Sequence, residues 1–150
     1  MNESKLQRIF LTLQATRRYV DEVAKEHDLL VSEQIAPLRL MAKNKRLWPS
    51  GWNDDTLDEI EYLLTHADGS LDVLKQQFGK AEKNYTNMMG AYKQEQLLTA
   101  LGATQLVMLN GTTISDYIQN EQTEFALRLE EIEKAGSLYA ADLNRLKQHL

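Results

Sequence analysis

Regularly spaced apolar residues constrain this chain more than any other feature of its sequence. Along the first part of the chain the positions of one face alternate between spacings of three and four residues: Leu6, Ile9, Leu13, Thr16, Val20, Val23, His27, Leu30 and Gln34. Three of these positions are polar, namely Thr16, His27 and Gln34. Side chains at this spacing lie on one face of an α-helix, and such a face packs lengthwise against another helix. The pattern predicts a first helix from residue 4 to about residue 34, opened by a capping box of Ser4 and Gln7.

Two further apolar repeats predict two more long helices. One extends from residue 71 to about residue 109, and the other from about residue 114 to residue 149, after the loop "NGTTIS". Asp68-Gly69 is a turn dipeptide, so we expect a turn just before the first of these helices. Gly90 lies inside that helix and is the candidate position for a break. The preceding Met88-Met89 pair matches the helix face, which favours core packing over a contact surface.

The segment that joins the first two long helices is predicted to form a corner. Pro37 lacks a backbone N–H and should interrupt the first helix, after which "LRLMAKNKRLW" adds two or three turns. The proline and glycine of "WPSGW" end those turns. A short helix then begins at Asn53 or Thr56, with Thr56 and Glu59 as a capping box, and ends at "HADGS". We expect residues 39–67 to form a short fourth element that caps one end of the bundle.

The predicted fold class is all-α: an elongated antiparallel helical bundle of three long helices plus one or two short helices. The chain has 150 residues, of which 43% are hydrophobic and only two are prolines, so it can bury one helical core. We therefore expect a single helical-bundle domain over residues 1–150. Polar positions on the helix faces leave room for a homodimer.

The sequence contains neither cysteine nor a long apolar segment. The lack of cysteine excludes disulfides, thiolate catalysis and cysteine-ligated metal centres, and it fits a cytoplasmic protein. No run of about 18 apolar residues is present, so we expect no insertion into a membrane. The N-terminal segment also lacks the apolar region of a signal peptide.

No motif in the sequence carries catalytic or cofactor-binding chemistry. His27, His66 and His149 all lie outside the Glu-x-x-His and His-Glu-x-x-His patterns of helical metal sites. His27 falls on the apolar face of the first helix and is interpreted as a structural histidine. Neither a phosphate-binding glycine loop nor a nucleophile elbow is present. We predict no enzyme activity, no cofactor and no metal, and we rank a small-ligand binder or enzyme with a pocket between helices as the last alternative.

The charge of the corner segment changes sign abruptly. Residues 34–52 carry four basic side chains and no acid, whereas residues 53–70 carry six acids and no lysine or arginine. In one interpretation the basic segment folds back on the acidic helix, with both tryptophans packed beneath it. In the other it faces a partner, because Trp and Arg are favoured at binding hot spots. The candidate binding residues are Arg39, Lys43, Lys45, Arg46, Trp48 and Trp52.

These observations predict a non-enzymatic protein-interaction module. It would be an adaptor, inhibitor or chaperone-like protein that presents helix faces and the corner to a protein partner. The alternative is a nucleic-acid-associated factor that uses residues 39–52, since clustered Lys and Arg bind phosphates and bases stack on Trp. The net charge of −5 and the adjacent acidic helix disfavour this alternative, because both repel phosphates.

Overall fold

The computed structural model of the chain describes residues 1–103 and 105–150, and the chain is 84% helical. Its helices are α1 (Glu3–Leu30), α2 (Ala36–Met41), α3 (Asp54–Ala100) and α4 (Ile114–His149). A π-helical turn, Val31–Ile35, joins α1 to α2, and a 3-10 turn, Lys45–Leu47, lies between α2 and α3. The predicted all-α bundle of three long helices is confirmed, although the helix bounds differ. Within the described residues, no helix has an apolar stretch of the length needed to cross a membrane.

Contacts among the helices divide the chain into two compact units, and each long helix contributes to both. Unit 1 comprises residues 1–18 and 76–132, and unit 2 comprises residues 19–75 and 133–150. In each unit α3 runs antiparallel to the α1–α2 helix and to α4, because rising residue numbers on one helix meet falling numbers on the other. The contacts are Phe10–Tyr85, Arg17–Glu82, Asn84–Glu121 and Gln77–Arg128 in unit 1, and His27–Asp68, Arg39–Glu61, His66–Asp142 and Glu59–Arg145 in unit 2.

Each unit buries apolar side chains of its own, which removes their surface from water and fixes the helices against one another. In unit 1 the buried set is Leu6, Leu13, Phe78, Ala81, Met88, Ala91, Ile114, Ile118, Phe125 and Ile132. In unit 2 it is Val20, Leu30, Ile35, Ile60, Leu63, Leu64, Ala67, Leu71, Leu74, Ala135, Tyr139 and Leu146. The core interpretation of the methionine pair is confirmed for Met88, which is fully buried, while Met89 is half-buried.

The expected turn at Asp68-Gly69 is wrong, because α3 is continuous through both residues. The residues expected to form a separate short helix, 54–67, are therefore the first turns of a helix of 47 residues. The apolar face explains the continuity: its buried positions keep helical spacing on both sides of the dipeptide, from Leu63 and Ala67 to Leu71 and Leu74. Glycine in a helix interior costs only about 1 kcal/mol relative to alanine, and burial of this face exceeds that cost.

The end of α3 also differs from the prediction, since the helix stops at Ala100 rather than near residue 109. Gly102, expected inside the helix, has a φ of +80° and ends it. The N–H of Ala103 donates to the carbonyl of Leu98, and the N–H of Gly102 donates to that of Thr99, both at 3.0 Å. This pair of hydrogen bonds is a Schellman motif, in which glycine takes the left-handed position without steric cost. Gly90 lies within regular helix, so no break occurs there.

Asparagine side chains cap two of the helices: Asn2 replaces the cap expected from Ser4, and Asn53 is one of the two caps expected for α3. The N–H of Lys5 donates to Asn2 Oδ1 at 2.8 Å, and α1 begins one residue after Asn2. Asn53 caps α3 in the same way, accepting from the N–H of Thr56 at 3.0 Å. Asparagine is among the best residues at this position, because its oxygen satisfies an N–H that has no partner within the helix.

Pro37 changes the type of helix without ending it. The π-helical turn precedes it, and the N–H of Ala36 reaches back to the carbonyl of Val31. Pro37 then lies in the first turn of α2, a position at which proline is tolerated. The wider turn carries the chain past the proline, so the basic segment begins on a helix continuous with α1.

Candidate functional site

The corner, defined here as residues 39–52 in unit 2, is shaped by its local backbone. α2 ends at Met41, and the 3-10 turn follows after a short break. The side chain of Asn44 caps this turn, accepting from the N–H of Arg46 at 3.1 Å. Gly51 has a φ of +87°, which glycine adopts readily, and the chain then enters α3. The candidate residues are thus held by a capped turn and a glycine bend.

The two tryptophans anchor the corner. Trp52 is partly buried and packs against the apolar cluster of unit 2 that includes Ile35 and Ile60. Trp48 is half-buried, and its Nε1–H donates to the carbonyl of Met41 at 3.2 Å. Trp52 therefore lies where the packing interpretation of the sequence places it, while Trp48 keeps part of its ring in solvent.

The four basic residues fall into two groups. Arg39 and Lys45 reach carboxylates of α3: Arg39 Nε lies 3.4 Å from Glu61 Oε1, and Lys45 Nζ lies 3.3 Å from Asp54 Oδ2. Lys43 and Arg46 are exposed. Exposed ion pairs contribute only about 0 to 1 kcal/mol, so the paired residues mainly orient the segment. The fold-back interpretation thus describes two of the four cations, and the other two face solvent.

Two leucines of the corner were not among the candidates from sequence. Leu40 and Leu47 leave 70% and 58% of their surfaces exposed. Their neighbour Leu38, by contrast, packs against the unit 2 apolar cluster. The available sequence signal was the helical phase: Leu40 lies two positions after Leu38, which turns it away from the buried face of α2. The corner therefore presents apolar as well as cationic side chains.

His27 lies outside the corner, in a buried hydrogen-bonded group. Its Nδ1 is 3.0 Å from the hydroxyl of Tyr139, and its Nε2 is 2.6 Å from Oδ1 of Asp68. Because a carboxylate only accepts, Nε2–H donates to Asp68, and Nδ1 is left to pair with the Tyr139 hydroxyl. Burial, with nearby carboxylates led by Glu26, raises the pKa of Tyr139 to about 12. Both ring nitrogens are occupied, so His27 acts as the structural histidine that the sequence suggested.

The other two histidines pair with carboxylates between α3 and α4. His66 Nδ1 contacts Asp142 Oδ2, and the ring of His66 stacks on Tyr62 with centroids 6.0 Å apart. His149 Nε2 lies 3.3 Å from a carboxylate oxygen of Glu59. A histidine–aspartate pair can activate a nucleophile, but no serine or threonine among the described residues bonds to His66. These pairs join α3 to α4.

A shallow cleft beside the π-helical turn has a volume of about 240 Å³. Its lining consists of two carboxylates, one amide, one amine and three leucines: Glu26, Leu29, Leu30, Glu33, Gln34, Leu143 and Lys147. Sites for small ligands usually enclose about 300 to 1,000 Å³ and bury most of the ligand. Within residues 1–103 and 105–150, no group of three or more His, Cys, Asp or Glu residues is arranged to hold a metal ion.

Comparison with known proteins identifies no relative of this chain. No protein-family model matches the chain, and neither a curated protein nor a solved structure is significantly similar to it.

Proposed function

We propose that this chain is a non-enzymatic protein-interaction module of the cytoplasm, which binds a protein partner through the corner. The observation that carries the proposal is the exposure of Leu40 and Leu47 within the same eight residues as the solvent-facing Lys43 and Arg46. Exposed leucines between cations suit a partner whose surface is both apolar and acidic, because apolar burial supplies affinity and opposite charge supplies specificity. The absence of cysteine supports a location in the cytoplasm, a reducing compartment in which disulfides are rare.

The anchoring of the corner supports a binding role. Trp52 packs on the unit 2 cluster, and Trp48 is tied to the backbone of Met41 at 3.2 Å. A surface that is ordered before binding loses less conformational entropy when the partner arrives. Ordered side chains that remain exposed, such as part of the Trp48 ring, are therefore favourable contact points.

Nucleic acid is the less favoured partner of the corner. Arg39 and Lys45 already contact carboxylates of α3, which leaves Lys43 and Arg46 as the solvent-facing cations. Each phosphate contact contributes to the affinity and to its dependence on salt, so two such cations support weak binding. The acidic first turn of α3 adds repulsion, with Asp54 and Asp55 next to the corner.

The test is affinity purification from the native host with a photo-crosslinking residue at position 47. A matched sample carries the same crosslinker at position 138, where Leu138 is also exposed but lies on α4. We expect one partner protein to crosslink at position 47 and not at position 138. We expect the Arg46→Glu/Leu40→Glu variant to bind this partner about tenfold or more weakly. Equal crosslinking at both positions, or equal recovery by the double variant, would refute the proposed surface. Nuclease treatment that abolishes the signal would identify nucleic acid as the partner instead.

A further inference from the structure

A long uncharged segment lies at the connection between α3 and α4, in unit 1. Residues 96–115 contain no Asp, Glu, Lys, Arg or His, although 26% of the chain consists of Asp, Glu, Lys and Arg. The segment includes the last turn of α3, a glycine-ended turn and the residues that lead into α4. Surfaces of soluble proteins ordinarily mix charges with apolar groups, so a stretch of this length without charge needs an explanation. We call residues 96–115 the uncharged segment.

Residues 105–109 of the uncharged segment form one arm of an isolated β-bridge, and this arm is called the strand. Val107 and Thr113 form an antiparallel bridge. The N–H of Ile114 donates to the carbonyl of Leu106 at 2.9 Å, and the N–H of Met108 donates to that of Thr112 at 2.8 Å. Such bonds flank a pair that is not itself hydrogen-bonded, so the N–H and the C=O of Val107 point away from Thr113. Neither group bonds to another described residue, and the outer edge of the strand is open.

The strand is apolar on both of its faces. Leu106 and Met108 point inward, against the buried cluster of Ala91, Ile114 and Ile118. Val107 and Leu109 alternate with them and are exposed, Leu109 completely. A strand with one face in water normally carries polar residues there, whereas a strand covered on both sides is apolar on both. The pattern is that of a strand with a second covering layer.

The end of α3 exposes two more leucines of the same segment. Leu97 and Leu101 are one helical turn apart and leave 61% and 74% of their surfaces exposed. Leu101 directly follows α3, and its N–H donates to the carbonyl of Leu97 at 3.0 Å, so the helical spacing extends to it and the two side chains share a face. Four large apolar side chains within 13 positions are thus open to solvent, with no charged residue between them.

We propose that the uncharged segment is the interface through which two copies of this chain associate. Its composition favours a second copy as the partner. A charged side chain of another protein would lose its hydration against this surface and find no opposite charge there, whereas the same segment of a second copy carries no charged side chain to bury. An anionic membrane is disfavoured for the same reason, since interfacial segments use Lys and Arg to reach lipid headgroups. Two copies of the uncharged segment can therefore pack together without burying an unpaired charge.

Backbone geometry gives the pairing a defined register. A twofold axis beside Val107 places its N–H and C=O opposite those of Val107 in the second copy, and the two residues exchange both hydrogen bonds as an antiparallel pair. In this register Leu109 of one copy lies directly opposite Gln105 of the other, on the same face of the pair as Val107. The open strand edge, which would otherwise be a site of unspecific aggregation, is closed in the dimer.

The test is sedimentation velocity of the whole chain over a wide range of concentration. We expect wild-type protein to form a dimer, and Leu101→Glu/Leu109→Glu to dimerise at least about tenfold more weakly, since each interface would bury unpaired carboxylates. Leu11→Glu/Leu138→Glu is the matched control, because it charges two exposed leucines outside the segment and should leave the dimer intact. Circular dichroism confirms that each variant remains helical.

A second variant separates strand pairing from apolar contact alone. Val107→Pro removes the outward N–H and leaves the two bonds to Thr112 and Ile114 in place, so it should weaken the dimer without unfolding the hairpin. The dimer should also persist in molar salt, because no charge pair contributes to it. A monomer at every concentration, equal dimerisation of the control and the Leu101/Leu109 variant, or binding of the monomer to neutral lipid vesicles through this segment would overturn the proposal.

Discussion

The buried imidazole of His27 is hydrogen-bonded through Nδ1 to the hydroxyl of Tyr139 across 3.0 Å. On its other side it donates to Asp68, so that one side chain connects α1, α3 and α4 within unit 2. Both donors and acceptors are satisfied, which is the condition under which a buried polar group does not destabilise a fold.

Tyr139→Phe tests this network. The substitution keeps the ring and removes the hydroxyl, leaving Nδ1 of His27 buried without a partner. We expect the free energy of unfolding to fall by about 1 to 3 kcal/mol, measured by urea denaturation. Tyr62→Phe is the control, since Tyr62 is exposed and its loss of a hydroxyl should change stability by about 0.5 kcal/mol or less. Equal effects of the two substitutions would show that the His27–Tyr139 bond contributes nothing.

The raised pKa of Tyr139 predicts a loss of stability at alkaline pH. The pKa is about 12 in the folded chain, against 10.0 for an ordinary tyrosine, because burial disfavours the phenolate. Below pH 10 the group is protonated in both states and its contribution is complete. Between pH 10 and 12 the unfolded chain ionises and the folded chain does not, so ionisation favours unfolding.

The measurement is the difference in unfolding free energy between wild type and Tyr139→Phe as a function of pH. The difference cancels the titration of lysines and of the other tyrosines. We expect it to decrease by on the order of 1.4 kcal/mol per pH unit above pH 10, towards a limit set by the pKa shift. A difference that stays constant from pH 8 to pH 11 would contradict a buried, protonated Tyr139.

Gly69→Ala distinguishes a continuous α3 from the turn that Asp68-Gly69 suggests. In the structure Gly69 is helical, and a Cβ at this position meets no atom within 4 Å. We expect alanine to stabilise the fold by about 0.5 to 1 kcal/mol, because it loses less backbone entropy in a helix. Gly51→Ala should do the reverse, since its φ of +87° strains a residue that has a side chain. Destabilisation by Gly69→Ala in thermal or urea unfolding would indicate a turn at this position.

Leu63→Ala measures how far the unit 2 core stabilises the fold. Leu63 is fully buried, so the substitution removes apolar contacts and leaves a cavity among packed neighbours. We expect a loss of about 2 to 5 kcal/mol in the free energy of unfolding. Leu138→Ala serves as the matched control, since Leu138 is exposed and its truncation should cost about 0.5 kcal/mol or less. A small effect of Leu63→Ala would mean that the buried face of α3 does not hold the helix in place.

Sequence periodicity by itself determined the fold class and much of the buried face of α1. The apolar spacing of the first helix places Leu6, Leu13, Val20, Leu30 and His27 on one face, and all five are buried. The start of α4 near residue 114, at the end of "NGTTIS", also follows from the sequence, as α4 begins at Ile114. These features depend on local geometry, since the period of the helix alone decides which side chains share a face.

Tertiary structure decided where helices end and which corner residues remain open. Asp68-Gly69 favours a turn locally, but burial of Leu63, Ala67, Leu71 and Leu74 on both sides outweighs that preference. Likewise, the sequence grouped Arg39 with Arg46 by charge, and only the approach of Glu61 on α3 separated the paired cation from the exposed one. The physical reason is the same in both cases: packing and ion pairing between segments distant in sequence add free energies that no local pattern contains.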